Sequence, residues 1–360
     1  MTLKLVRLTS AVLLASQVHA TAIDCLTRSS SSTLTKLINC FNGFTVPHDF
    51  YNPSTYAAAQ PTTNELNGWI AAVNTLLSTD GDCSSAVLDT FLAPSYRIDL
   101  FTEREGAFKS YCILSEKSAT SGVYNRGWGL MVVPATTAAI SRTVHFSAPH
   151  PLADFNTPQQ AAELFGATGG RSLLIHGRNR TAYYSYSDSP TCCVPGPTGT
   201  TYYKCDAAHD NTQPFFNALM TIRTYQNLHG GCPNDSCAYL QLHGKGTGAD
   251  SCPSDAIFLS AGLGNGAASV AWYTDDTDRP IKRLKTELQH VFSGTIALPS
   301  DDTSCDLTAT RNIFGRVLNG VPFGDICIGS ASQFIHAEQA KDYRLAPNYD
   351  EWTTAIQAAL

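Results

Sequence analysis

The chain has no excess of positive charge: 24 Lys and Arg stand against 30 Asp and Glu, a formal charge of −6 over 360 residues. That excludes the basic face on which a nucleic-acid binder depends. No apolar run reaches the roughly 18 residues of a membrane helix, so no membrane span is expected. No Cys-x-x-Cys occurs, which argues against a thiolate zinc site or a thioredoxin-like pair. Gly-x-Ser-x-Gly is also absent, and with it the serine-hydrolase elbow. Gly262, Gly264 and Gly266 follow a strand-like run, but no helix with a phosphate-binding Lys or a ribose-binding acid follows at the right distance. They read as a turn, not a nucleotide loop. There is no internal repeat and no low-complexity tract. Charged residues make up only 15% and hydrophobic ones 43%, which excludes a mostly disordered chain and suits one large domain or two modest ones.

Cysteine, by contrast, is abundant. Twelve cysteines (25, 40, 83, 112, 192, 193, 205, 232, 237, 252, 305, 327) are many for a reducing compartment. The first twenty residues supply the reason. Lys4 and Arg7 give a basic start, Leu8 to Val18 a short apolar stretch, and Val18-His19-Ala20 a small-residue end. This reads as a secretory signal peptide over residues 1–20, whose removal leaves 22 basic against 30 acidic residues. All twelve cysteines follow it, and an even count in an exported chain predicts a disulfide framework of open connectivity. Cys232 and Cys237 flank Pro-Asn-Asp-Ser and can close a small loop. Asn179-Arg-Thr and Asn234-Asp-Ser are glycosylation sequons, the second in the more turn-like setting. The expectation is a secreted, extracellular glycoprotein.

Residues 21–120 read as a mainly helical N-terminal extension with one strand pair, and 121–360 as an α/β domain. In the first part, Leu66, Trp69, Ile70, Val73, Leu76 and Leu77 form a helix-period stripe, and Ser84-Ser85 opens a second short helix through Val87, Leu88 and Phe91. Tyr96 to Phe101 and Ser110 to Leu114 read as strands joined at a Gly106 turn. Beyond residue 128, short apolar strands alternate with helices over 157–165, 213–227, 279–292 and 349–360. That pattern predicts an α/β fold: a mixed central sheet with helices on both faces, tied by disulfides. The loop 186–201, rich in Ser, Pro, Gly, Thr and Cys, borders a site in such folds.

Three segments carry chemistry. His150 and Asp154 sit on a turn between a strand and a helix, where α/β sites form, and imidazole plus carboxylate suits Zn²⁺. The competing reading makes Asp154 a helix cap. His243 ends an apolar strand and is followed by Gly-rich backbone, so it can converge on His150 or simply close an edge strand. His336 and Glu338 share one face of a late strand, where a carboxylate can serve as general base, or form the polar face of an exposed edge. Arg344 follows six residues on. Asp206 and His209 can support such a site from a second layer.

Two strand-end histidines, an acid, and a late strand Glu in this order resemble the zinc-carboxypeptidase-like superfamily. Within it, the poly-γ-glutamate hydrolase and N-formylglutamate amidohydrolase branches are the most similar. The resemblance covers about Arg142 to Arg344. It implies a zinc-dependent hydrolase of amide or peptide-like bonds acting on a small-molecule or peptide-like substrate. One zinc would be held by His150, Asp154 and His243, with Glu338 as general base. His336 would orient Glu338 or hold the developing oxyanion. Arg180 and Arg344 would bind an anionic group of the substrate. The chain departs from the family pattern in Pro151 and in Asp rather than Glu at 154, which demands a tighter turn or a different ligand.

A rival resemblance lies in Leu174-Ile175-His176-Gly177-Arg178, which is similar to the Arg-His-Gly-x-Arg signature of histidine acid phosphatases. It would make His176 a phosphate nucleophile, with His336 and Glu338 in the proton-donor motif. Ile175 stands where that signature has Arg, and the signature lies far from the start of the chain. A third reading is a non-catalytic binding or structural protein that keeps the fold. Oligomeric state leaves no mark in the sequence.

Overall fold

The computed structural model describes residues 24–117, 119, 120, 122–184, 202–321 and 334–360. The expected signal peptide, the loop 186–201 and Cys192, Cys193 and Cys327 lie outside them. The first helices are α1 (Asp24–Thr27), α2 (Leu34–Asn42), α3 (Pro53–Ala59) and α4 (Thr63–Leu77). Their starts are set by side chains. The Thr33 hydroxyl accepts from Lys36 N–H before α2. Asn52 with Thr55, and Thr62 with Glu65, form reciprocal capping boxes before α3 and α4.

The expected second helix over 84–91 does not form; residues 84–95 run as turns and extended chain. Val87 is 78% and Phe91 54% exposed, so these residues have no apolar face to bury. Cys83 is bonded to Cys112, and the Asp82 and Asp89 carboxylates take nearby backbone N–H groups in local turns.

The strand pair is β1 (Tyr96–Thr102) and β2 (Ser110–Glu116), followed by the short pair β3 (Ala119–Thr120) and β4 (Val123–Tyr124). Then come β5 (Leu130–Pro134), β6 (Thr143–Ala148), α5 (Thr157–Thr168), β7 (Ser172–Ile175), α6 (Pro214–Leu228), β8 (Cys237–Gly244) and β9 (Ile257–Ser260). The chain closes with α7 (Ala267–Thr274), α8 (Pro280–Val291), β10 (Ile296–Ala297), α9 (Ile313–Leu318), β11 (Phe334–Gln339) and α10 (Tyr349–Ala359).

Nine strands form one mixed sheet in the order β1-β2-β5-β7-β6-β8-β11-β9-β10. The four central strands β7, β6, β8 and β11 are parallel; β1, β2 and β5 join antiparallel on one side, and β9 pairs antiparallel with β11 on the other. The strand pair of the first 120 residues therefore continues the sheet of the later ones.

Each face has its own apolar core. Leu37 and Phe41 of α2, Leu164 and Phe165 of α5, Leu284 of α8 and Trp352 of α10 pack on one. Trp69 and Leu76 of α4, Phe215 and Leu219 of α6 and Phe314 of α9 pack on the other. Burying each such side chain contributes about 1.5–3 kcal/mol, so a two-faced cover makes the central strands the most protected part of the chain.

Among the described residues, four disulfides join Cys25–Cys40, Cys83–Cys112, Cys232–Cys237 and Cys252–Cys305. The small loop expected at Cys232 is thus closed. Bridges of this number fit an extracellular protein. No helix among the described residues is long and apolar enough to cross a membrane.

One buried histidine of the sheet has a measurable consequence. His145 of β6 contacts Ser172 Oγ at 2.8 Å through Nδ1, and its ring stacks on Tyr239. Burial lowers its pKa to about 3. The unfolded chain takes up this proton near its ordinary pKa of about 6.5, the folded chain only near 3, so stability falls as pH drops through that window. By pH 5 the loss from this residue is about 2 kcal/mol. Denaturant unfolding at pH 8 and pH 5 should show a smaller pH effect in His145→Gln than in the parent chain.

Candidate metal centre

The parallel register brings the chemistry to one end of the sheet. Glu338 of β11 lies opposite His243 of β8, His336 opposite Gln241, and Ser147 of β6 opposite Gln241 on the other side. His150 lies two residues beyond β6. Ligand sites of α/β folds form at such carboxyl ends. Neither β8 nor β11 is an edge strand, so His243 and the His336–Glu338 face are interior.

The turn after His150 decides what Asp154 does. Asp154 N–H bonds to His150 O at 2.8 Å, and Asp154 O receives Thr157 N–H at 3.1 Å and Thr157 Oγ1 at 2.9 Å. Asn156, at the N-cap of α5, adopts a left-handed φ of 71° and makes no side-chain cap. The Asp154 carboxylate is therefore not a helix cap; it turns inward and is 95% buried.

Asp154 Oδ2 meets His150 Nδ1 at 3.2 Å and His243 Nδ1 at 3.1 Å. The far nitrogens of both rings are held elsewhere. His150 Nε2 lies 2.9 Å from Asp206 Oδ1, which also takes His209 Nδ1 at 3.0 Å. His243 Nε2 lies 2.8 Å from Gln241 Oε1. The Asp206, Gln241 and Asp154 oxygens only accept, so without an ion each ring nitrogen facing one of them needs a proton. A metal at Nδ1 would take the place of the proton shared with Asp154 while Nε2 keeps its N–H. Two imidazole nitrogens can face one carboxylate oxygen only when positive charge, from a proton or a metal ion, lies among them. His150, Asp154 and His243 offer three ligand atoms within 4.8 Å of one another, a donor set that suits Zn²⁺.

The electrostatics show the same demand. Burial opposes charge on His150, but the Asp206 and Asp154 carboxylates outweigh it and raise the ring to about 9. Burial lowers His243 to about 4, and His336 falls well below its ordinary range, burial first and His243 second. Asp154 is held below the usual carboxylate range by His150 and His243, against burial. Burial pushes Glu338 up to about 8, with the Asp154 charge adding to it.

These groups open on a polar cavity of about 750 Å³ that His150, Asp154, His243, His336, Glu338 and Arg180 all line. Glu338 Oε1 lies 3.6 Å from His336 Nε2, beyond hydrogen-bond length, and His336 Nδ1 is buried with no partner. Arg180 is exposed at the cavity wall. Arg344 is buried behind it, so close over Gly244 that no Cβ would fit there, and its Nε and Nη1 have no hydrogen-bond acceptor.

The phosphatase-like arrangement is not assembled. His176 is 1% exposed, packs edge-on against Phe215 and does not line the cavity. Arg178 is buried on the carbonyls of Arg126 and Ala59 and on Gln213, with no face left for a phosphate.

Gln241 and Asn312 belong to the site without a signal in the sequence beyond Gln241 sharing a strand face with His243. Asn312 Nδ2 donates to Gln241 Oε1 at 2.5 Å and so fixes the amide that holds His243.

No family model matches the chain, and no curated protein matches it. Among solved structures it is similar to a metallo-carboxypeptidase from Burkholderia cenocepacia, with a TM-score of 0.31, 12% identity, and 83% of this chain and 68% of that one covered. A mutant of tomato leucine aminopeptidase gives a TM-score of 0.30 and 8% identity over 82% of this chain and 61% of its own. At such distances function rests on the site alone.

The outer layer generates a prediction. Asp206→Asn should weaken metal binding about 10–100-fold, the usual cost of removing a carboxylate behind a ligating histidine, without abolishing it. Competition with a chromogenic chelator would measure this; an unchanged affinity would show that Asp206 does not support His150.

Proposed function

We propose that the protein is a secreted zinc-dependent hydrolase of amide or peptide-like bonds. The observation that carries this reading is the convergence of the His150 and His243 Nδ1 atoms on Asp154, with both Nε2 atoms tied back by Asp206 and Gln241. His150, Asp154 and His243 would hold the ion, and three protein ligands are the number typical of catalytic rather than structural zinc. When bound, zinc supplies Lewis acidity that polarises a carbonyl and acidifies water. A cation beside Glu338 would also act against the burial and the Asp154 charge that raise it, favouring the ionised carboxylate.

Glu338 takes the proton of the attacking water and returns it to the leaving amine. His336, on the same strand face, orients Glu338 or donates to the developing oxyanion. Arg180 and Arg344 bind an anionic group of the substrate, for which a planar guanidinium is suited. Arg344 has two buried N–H positions without an acceptor, which supports that role.

The purified chain should carry about one zinc, measured by mass spectrometry of the metal. A chain purified gently without metal would instead favour the non-catalytic binding protein. Against a panel of N-acyl amino acids and short peptides, Glu338→Gln should keep the metal and lose about 10²–10⁴ in rate. His243→Ala should lose both metal and activity. Loss of zinc from Glu338→Gln would make Glu338 a ligand and remove it from proton transfer.

A further inference from the structure

Lys245, Gly246 and Ser251 from one segment and Asp306, Leu307 and Thr308 from another line one side of the cavity, and just beyond the lining the two segments are cross-linked by the Cys252–Cys305 disulfide. Asp255 and Asp302 face each other across that link. One oxygen of each, with the Cys305 sulfur, lies in a group whose atoms are all within 4.8 Å of one another. Asp255 is 97% buried, its Oδ2 is sealed from solvent with no N–H or O–H donor from another side chain, and its carboxyl lies within hydrogen-bond reach of the Asp302 carboxyl. Asp302 Oδ1 takes the N–H and hydroxyl of Ser304 at 2.9 and 2.6 Å.

Lys245 acts on Asp255 only through space and does not pair with it. Lys245 Nζ is bonded to the carbonyls of Ser251 and Cys252 at 3.0 and 2.5 Å and forms no salt bridge with either carboxylate. Asp301, the other acid of this corner, is paired with Lys285. Two carboxylates this close, one of them sealed, stay together only with a shared proton or a cation.

We propose that Asp255 and Asp302 form a second cation site, filled by Ca²⁺, that braces the disulfide-linked wall of the cavity. The donors choose the ion. The Cys305 sulfur is in a disulfide and offers no thiolate, which leaves oxygen ligands only and excludes a soft metal. Ca²⁺ accepts irregular oxygen cages completed by water, whereas Mg²⁺ demands a near-ideal octahedron. Two carboxylates place the site among weak, extracellular-type calcium sites with Kd of about 10⁻⁴–10⁻³ M. It shares no ligand with His150, Asp154 and His243, so its outcome is separate from that of the zinc reading.

The test is thermal unfolding of the full chain at pH 7.5 with CaCl₂ raised to about 10 mM, a concentration well above the expected Kd. The parent chain should gain about 2–4 °C, and Asp255→Asn should gain nothing. The amide of that variant can still donate to Asp302, so the fold is preserved. Equilibrium dialysis with ⁴⁵Ca should show saturable millimolar binding in the parent chain that is lost in Asp302→Asn, an independent variant at the more exposed member of the pair. No calcium-dependent rise and no bound ⁴⁵Ca in the parent chain would overturn the proposal and leave a shared proton between the two carboxyls. An equal response in Asp255→Asn and Asp302→Asn would overturn it too, by locating the ion elsewhere.

Discussion

Two imidazole nitrogens can share a dry volume with one carboxylate oxygen only when positive charge, a proton or a metal ion, stands among them. The end of the sheet at β6, β8 and β11 is organised around that constraint. His150 and Asp154 come from one loop, His243 from an adjacent strand, and no one of them is unusual alone. Parallel pairing of β6 with β8 and of β8 with β11 makes them neighbours. The apolar packing on both faces of the sheet holds those strands in register, and a slip of one residue would send His243 and Glu338 to the opposite face.

The layer behind the three groups matters as much as the groups themselves. A neutral histidine has two tautomers, and only the hydrogen bond at the far nitrogen selects which one presents a lone pair. With an ion at Nδ1, Asp206 would keep the N–H of His150 at Nε2 and Gln241 that of His243. Asp206 is itself fixed by Ala208 N–H and by His209, whose ring lies flat on Tyr202 at 3.8 Å. Gln241 is fixed by Asn312 at the start of α9. The loop before α6 and the start of α9 are thereby tied to the centre by side chains, where the strands are tied to it by backbone pairing.

Much of this architecture was legible in the residues. The apolar stripe from Leu66 to Leu77, the helix opening at Thr157-Pro158 and the strand-to-helix alternation beyond residue 128 follow from local rules and led to the right fold class. The placement of His150 just past one strand, of His243 at the end of another and of Glu338 on the face of a late strand was legible too. The misses have physical causes. Residues 84–91 carry helix-like spacing, but Val87 and Phe91 found no surface to pack against. Helix α9 has six residues, too few for a period to show. His243 is held by Gln241, two residues before it on the strand, and Gln241 in turn by Asn312, 71 residues beyond that glutamine, a separation that only the fold closes.

The shorter acid at 154 shows how backbone and chemistry trade against each other. Asp reaches one methylene less than Glu, so the main chain must come nearer to the two histidines. It does so by closing a tight turn from His150 O to Asp154 N–H and a second from Asp154 O to Thr157 N–H. Leaving that double turn to enter α5 requires one residue in the left-handed region, and Asn156 takes it at φ 71°. Asn tolerates that conformation better than almost any residue but Gly. The energy kept low at Asn156 is what allows Asp154 to face inward instead of capping the helix, so a residue that touches neither histidine helps decide that the centre has a carboxylate at all.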